Sequence, residues 1–547
     1  MMKKLFIKNI FSPRTHIIAL YLTFVINVGF FLNVDVFASS FLGLHTLLAF
    51  IIGELCGNII FMLLERLVPG ICRRLSFGQT DSKRKTKGTL QKEISELSFG
   101  SVLIFTVIPV ILFTVLFVAV YPGCFSYDSF IQLGQVYEGE YNDWHPFMQT
   151  LFSFTIPLKL TGNRIPSILL FQYIWFTGAC VYATCSICKY CGRRVALAVE
   201  LIILMNPAIQ HLSAYPIKDF SFAGMALVLT AFVFRIVMSR GDWLKKPVNI
   251  IFFVIAFTLT SLFRHNAILF TIPLIILLIC FLKKKTGLLL AIVCIMSFLI
   301  VKYPIRLALD IGQPGSRHTE TMGLPLTIMG NAFVETPELL DEDVKSFLNS
   351  IAPQSAWNSL YKCGSFNNLK FNYVIDTTIV EETSVSDILR LTMKCVKESP
   401  TASIRGLLTT EEMVYGISGP DYSWQNFDIA WNDYGIEYAG NNTVRSIVEL
   451  WSYVMSSAVT RYLFNYLGVW NLICIALFLY LFDAKDRNKL KISFLCFLPI
   501  LIHNGGTSLL LTGFDYRFFI VTYTVVPVMA VLALATGRDA EGLLQSS

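Results

Sequence analysis

Apolar residues occur along this chain in long runs, and short polar segments separate the runs. A membrane-spanning helix needs about 20 mostly apolar residues. Runs that approach or reach this length lie at positions 17–32, 41–64, 101–120, 165–185, 196–210, 220–237, 248–263, 267–282, 287–301, 464–481, 494–511 and 518–534. The pattern predicts an all-α polytopic membrane protein with a transmembrane bundle of about 12 helices.

The composition agrees with a membrane protein. Of the 547 residues, 54% are hydrophobic and 15% are charged, and the mean hydropathy is +0.61. A soluble protein carries about 25% charged residues. These values exclude a soluble enzyme, a nucleic-acid-binding protein and a disordered scaffold.

The basic residues predict the orientation of the chain. They gather in short loops such as Arg193–Arg194 and the three lysines at 283–285. Loops rich in Lys and Arg face the cytoplasm, which places both termini there. The apolar segment 146–160 is short for a span, and if it lies flat in the outer interface every basic loop stays on one side.

The polar region between positions 303 and 450 holds 10 Lys and Arg but 19 Asp and Glu. It predicts an acidic, mainly helical extracytoplasmic domain at 305–450, with helices over 335–350 and 384–397. The other units are two N-terminal helices with a basic linker (1–99), a transmembrane module with a first outer loop at 121–164 (100–304), and C-terminal helices (451–547). Cys363 and Cys395 could form a disulfide or remain two buried thiols.

Ionisable residues at the ends of membrane helices are costly and are typically functional. The predicted topology brings one such group to the outer face: Asp128, Asp143, His145, Lys218, Asp219, Arg264, His265 and Arg517, together with the polar Asn266. A carboxylate near an apolar interface suits a general base, because desolvation raises its pKa. Lys and Arg can hold a lipid-linked phosphate, and Asp with His can bind a divalent cation.

Each of these residues also has a purely structural interpretation. Asp128 could cap the helix that follows it. Lys218 and Asp219 could form a local ion pair, and Arg517 could extend to lipid headgroups. The triplet 264–266 could form a tight turn between two helices.

The order of these motifs resembles the GT-C superfamily of glycosyltransferases. The segments that carry the resemblance are Tyr121-Pro-Gly, Asp128-Ser, Asp143-Trp-His-Pro, Ile217-Lys-Asp, Phe263-Arg-His-Asn and Gly323-Leu-Pro-Leu. The match is to an uncharacterised group of bacterial polytopic proteins and, more distantly, to protein O-mannosyltransferases and the aminoarabinose transferases of lipid A. It spans about 101 to 534, so the first two helices look like an addition.

The resemblance implies a GT-C-like fold and an inverting transfer of a sugar from a polyprenyl-phosphate donor. The acceptor would be an extracytoplasmic glycan, lipid or protein, and the location a bacterial plasma membrane. Asp128 would be the general base. Lys218, Arg264 and Arg517, with the adjoining Asp219, His265 and Asn266, would bind the donor. Asp143 and His145 could hold Mg²⁺ or Mn²⁺, although the paired Asp-Asp or Asp-Glu of many mannosyltransferases is missing from the first outer loop.

Three other functions remain open. A transporter or flippase for a lipid-linked or anionic solute would suit twelve spans, but transporter sites lie near the bilayer midplane. A membrane O-acyltransferase would need a histidine within a span, for which His503 and His45 are the candidates. A polymerase or ligase of O-antigen type would share the large outer region and the lipid-linked substrate.

Overall fold

The fold is taken from a computed structural model of the chain. It describes residues 9, 12–33, 39–75, 98–313, 318–372, 375–417, 427–457, 460–483 and 486–536. The predicted basic linker at 81–92, the Pro314–Gly315 and Gly419–Pro420 pairs, and the outermost residues of both termini lie outside the described residues.

Within these ranges every regular element is a helix, as the apolar runs predict. Eight helices are long and apolar enough to cross a membrane. They are Pro13–Leu32, Gly43–Pro69, Phe99–Val120, Pro166–Cys191, Lys218–Met238, Lys284–Ala308, Arg487–Ser508 and Tyr516–Thr536. The chain is therefore a polytopic helical membrane protein.

The other four predicted runs are also helical, but each is short or broken. Arg193–Leu204 and Pro207–Ser213 form a pair bent by 62°. The bend falls where Asn206 caps the second helix by accepting from the backbone N–H groups of Ala208 and Ile209. The remaining helices are Pro247–Phe263, His265–Phe281 and Leu467–Leu481. Length and composition thus support eight spans, or nine if the bent pair is one span, and the count of about 12 is not confirmed.

The short apolar segment at 146–160 forms three consecutive helical turns, Phe147–Thr150, Leu151–Thr155 and Ile156–Thr161. Phe154 and Leu158 from this segment are fully buried in a small apolar cluster with Phe125. The segment therefore packs beneath the loop that follows Val120.

The polar region has an apolar core of its own. Buried residues such as Trp357, Phe333 and Cys395 form a cluster separate from that of the bundle. The predicted helix over 384–397 is observed as Val385–Glu398. The one predicted over 335–350 is observed as Glu342–Ile351, because a preceding helix, Gly323–Glu335, ends before Pro337.

The two cysteines of this region are both free thiols. Cys363 lies 3.4 Å from the Thr409 hydroxyl, and buried Cys395 lies 3.6 Å from that of Ser403. Of the two alternatives left open by the sequence, this arrangement is that of two separate thiols.

Candidate functional site at one end of the helix bundle

The candidate site begins at the helix Tyr127–Glu138, which follows the third apolar helix. Ser126 is its N-cap and forms a capping box with Ser129. The Ser129 hydroxyl also donates to the carbonyl of Pro216 at 3.0 Å, just before the helix that carries Lys218. Capping is therefore done by Ser126, and the carboxylate of Asp128 is left for other contacts.

Two cations converge on that carboxylate. Lys218 Nζ lies 3.2 Å and an Arg517 guanidinium nitrogen 3.6 Å from Asp128 Oδ2. Lys218 Nζ also lies 2.9 Å from His145 Nδ1. Since an ammonium can only donate, Nδ1 accepts and the imidazole proton is on Nε2. We call Asp128, His145, Lys218 and Arg517 the charged cluster.

The cluster brings together residues from three distant parts of the chain. Asp128 and His145 come from the first loop, Lys218 from the start of a spanning helix, and Arg517 from the turn before the last one. Asp515 holds the Arg517 side chain through its Nε at 2.6 Å. The side chains of the cluster that carry a charge remain partly exposed, so a ligand can reach them.

A buried ion pair lies directly behind the cluster. Arg264 and Asp219 contact each other, with side chains 5% and 2% exposed. The guanidinium also lies 4.5 Å from the centre of the Phe518 ring. Asp219 follows Lys218 in the chain and Phe518 follows Arg517, so this pair fixes the two segments that carry the converging cations.

Electrostatics at Asp128 run against the sequence-based expectation. Burial raises the pKa of its carboxyl, but the adjacent Lys218 and Arg517 lower it by more, and the net pKa is well below its ordinary value. The expectation that desolvation raises this pKa considered the apolar surroundings alone. Asp128 is therefore a firmly ionised, weakly basic carboxylate.

The remaining predicted site residues lie around the cluster and contact other groups. Asp143 accepts from the backbone N–H of Phe147 at 3.2 Å. His265 Nε2 lies 3.2 Å from the carbonyl of Trp144, and Asn266 donates to Thr507 at 2.9 Å. With Asp219, these side chains hold segments of the site together.

The contacts of His145 bear on the divalent cation expected at Asp143 and His145. The imidazole nitrogen that faces the cluster already accepts from Lys218, whose positive charge would repel a metal ion at that place. Among the described residues, no group of three His, Cys, Asp or Glu side chains is placed to hold a metal. A divalent cation at Asp143 and His145 stays a prediction, and one bound through Nδ1 would have to displace Lys218.

Two buried glutamines support the cluster and were not among the predicted residues. Gln132 Nε2 donates to the Gln149 side-chain oxygen at 2.5 Å and to the Thr150 hydroxyl at 2.7 Å. Gln132 lies one helical turn after Asp128 on the same helix, and Gln149 lies in the helix that begins two residues after His145. That spacing is the sequence signal that could have identified them.

Two of the other candidate residues have ordinary packing roles. His503 is fully buried, with Nδ1 3.2 Å from the side-chain oxygen of Asn504, and this contact is typical of a core histidine. His45 Nδ1 lies 2.9 Å from the side-chain oxygen of Asn27.

We expect the buried pair to be essential for stability. Removing one partner of a buried ion pair leaves an uncompensated charge and costs about 3–5 kcal/mol. Asp219→Ala should lower the free energy of unfolding in detergent by that amount, and the double variant Asp219→Leu with Arg264→Met should recover most of it. The control is Asp242→Ala, which breaks the exposed pair with Lys245 and should cost less than about 1 kcal/mol. Equal losses from the two single variants would contradict this account.

Comparison with known proteins gives no further information about the chain. No protein-family model, curated protein or solved structure matches it. Its function must therefore be inferred from the contacts of the charged cluster and their chemistry.

Proposed function

We propose that the protein is a membrane glycosyltransferase that transfers a sugar from a polyprenyl-phosphate donor to an acceptor outside the cell. The observation that carries the proposal is the convergence of Lys218 and Arg517 on Asp128 at one end of an apolar helix bundle. A general base and a pair of phosphate-binding cations are the parts that this transfer needs, and the bundle accommodates the lipid tail.

The two cations would bind the donor phosphate. Arg binds phosphate through several donors in fixed geometry and Lys through a point charge. The phosphate leaves with its own negative charge, so cationic stabilisation replaces a strong general acid. Arg264, which the sequence also proposed for this role, is engaged with Asp219 and acts as a positioning residue.

The transfer itself would invert the anomeric carbon. The acceptor oxygen forms a bond to this carbon from the face opposite the phosphate, and its proton passes to the Asp128 carboxylate. The bond between the carbon and the phosphate oxygen breaks, and its electron pair remains on the phosphate beside Lys218 and Arg517. The sugar passes through an oxocarbenium-like transition state.

Donor binding would also activate the base. In the substrate-free protein the same two cations contact Asp128 and hold its pKa down. A bound phosphate competes for these cations and adds a negative charge close to the carboxylate. Both changes raise the pKa of Asp128, so the carboxylate becomes a stronger base once the donor is in place.

The orientation of the chain forms part of this proposal. Basic short loops at the opposite ends of the helices favour cytoplasmic termini, which places the charged cluster and the acidic region outside. The resemblance to bacterial GT-C proteins favours a bacterial plasma membrane.

A transporter or flippase for a lipid-linked or anionic solute is the second candidate. The 62° bend between Arg193–Leu204 and Pro207–Ser213 favours it, because discontinuous helices often form transporter sites. The charged cluster lies at helix ends, whereas transporter sites lie near the bilayer midplane, and this favours the transferase.

Replacing the base tests the proposal. Asp128→Asn keeps the shape of the side chain and removes the proton acceptor, and loss of a general base costs about 10²–10⁴-fold in rate. Purified protein in lipid would receive radiolabelled polyprenyl-phosphate sugars and an envelope extract. The label should reach the envelope fraction with wild type and fall by that factor with the variant.

The matched control is Glu338→Gln, which makes the same change at an exposed carboxylate of the acidic region and should transfer label as wild type does. Transfer by Asp128→Asn at the wild-type rate would refute the assignment of the base. Absence of transfer by wild type from every donor tested, together with donor-dependent lipid movement across vesicles, would establish the flippase instead.

The pH dependence should differ between free and donor-bound protein. The acid limb of kcat/KM reports the free protein, where the pKa of Asp128 lies below its ordinary value of about 4. The acid limb of kcat reports the complex, where the phosphate competes for Lys218 and Arg517. The apparent pKa in kcat should therefore be the higher of the two, and a lower or equal value would contradict donor-induced activation.

A further inference from the structure

The segment 427–441 lies across the start of the candidate site. It has no regular helix or strand, yet its backbone is fixed to the chain around the first loop. Ala430 donates to the carbonyl of Phe125 at 2.7 Å, and Ala439 to that of Tyr121 at 2.9 Å. We call this segment the strap. Phe125, which accepts the first of these hydrogen bonds, is two residues before Tyr127 and three before Asp128.

A single side chain fixes the turn at the centre of the strap. The Asn432 amide donates to the carbonyls of Ala430 and Ile436. Its oxygen accepts from the backbone N–H groups of Tyr434 and Ile436. Four hydrogen bonds from one residue make this turn a defined surface.

The strap and the adjoining helix present aromatic rings to solvent. Trp431 is 74% exposed and Tyr127 is 67% exposed. Tyr434 stacks on Phe130 of the helix Tyr127–Glu138, with 5.7 Å between ring centres and 13° between ring planes. Exposed rings on a rigid backbone next to a reactive carboxylate are typical of a binding surface.

The charges around these rings identify the kind of partner. Positions 127–141 and 427–441 contain six carboxylates and neither Lys nor Arg. Glu138, Glu140, Asp433 and Glu437 are among them, and all four are exposed. Carboxylates accept hydrogen bonds from hydroxyl groups, and the electron-rich faces of aromatic rings attract the C–H faces of a sugar.

The same charges argue against a membrane or an anionic polymer as the partner. Protein surfaces that dock on anionic bilayers carry Lys and Arg, which attract the headgroups. A surface whose exposed side chains include Glu138, Glu140, Asp433 and Glu437 would repel such headgroups, and it would also repel a polymer of phosphates or uronic acids. Arg445, which lies over the Tyr438 ring, is paired with Asp428 and Glu449.

We propose that the strap and the N-terminal turn of the helix Tyr127–Glu138 bind an uncharged glycan chain as the acceptor. The inference rests on the proposed glycosyltransferase function and adds the chemical class of its acceptor. Trp431 and Tyr127 stack on sugar rings, and the glycan end reaches Asp128, one residue after Tyr127.

Binding without turnover tests the inference separately from the transfer reaction. Uncharged hexasaccharides of glucose, galactose, mannose and N-acetylglucosamine, each carrying a fluorophore, would be titrated against full-length protein in lipid nanodiscs. Wild type should bind at least one, Trp431→Ala about tenfold more weakly, and Trp431→Phe within about threefold of wild type. Phe371→Ala, at an equally exposed ring outside the strap, should bind as wild type does.

Two results would overturn the inference. One is binding of none of the hexasaccharides by wild type at millimolar concentration. The other is quenching of the Trp431 fluorescence by vesicles of brominated phosphatidylglycerol and phosphatidylethanolamine. The Trp431 signal is measured as the difference between wild type and Trp431→Phe. Such quenching would show that the strap is a membrane anchor.

The failure of the acceptor assignment is distinguishable from the failure of the proposed function. Trp431→Ala should still bind polyprenyl phosphate as wild type does, because Lys218 and Arg517 are unchanged. Glycan binding together with wild-type transfer by Asp128→Asn would refute the catalytic assignment and leave the acceptor surface in place.

Discussion

The rest of the site depends on the compensation of negative charge at the end of an apolar bundle. A carboxylate in such surroundings is stable only when a cation or several donors accompany it. Asp219 meets this constraint with Arg264, and the two are buried together. Asp128 meets it with Lys218 and Arg517 while remaining accessible. The pair of Asp219 and Arg264 therefore stabilises the structure, whereas Lys218 and Arg517 remain accessible to an anionic ligand.

The surrounding elements hold the residues of the charged cluster in position. The capping box of Ser126 orients the helix that carries Asp128, and the contact between Gln132 and Gln149 joins that helix to the one after His145. The strap closes the same loop from the other side through backbone hydrogen bonds. In the proposed reaction these elements remain fixed while the donor phosphate replaces the Asp128 carboxylate as the partner of Lys218 and Arg517. The chemistry therefore needs no large movement of the bundle.

Much of this organisation could be predicted from the sequence, because hydropathy and charge are local properties. All twelve apolar runs are helical, and the residues chosen from helix ends include every member of the charged cluster. The number of spans is not confirmed, since helices such as Leu467–Leu481 fall short of the length that identifies a span. Pairing could not be predicted: nothing local shows that Lys218 contacts Asp128 across 90 residues, or that neighbouring Asp219 contacts Arg264. The direction of the pKa shift at Asp128 depends on that pairing. The raised pKa expected from the sequence was therefore wrong.

The central claim is that a lipid phosphate and the Asp128 carboxylate compete for Lys218 and Arg517. The most direct measurement is the affinity of wild type, Asp128→Asn and Lys218→Met for polyprenyl phosphate in lipid nanodiscs. Removing the competing carboxylate should tighten binding about tenfold, and removing the ammonium should weaken it by a similar factor, since a hydrogen bond to a charged group is worth about 1.5–3 kcal/mol. Unchanged or weaker binding by Asp128→Asn would contradict the account.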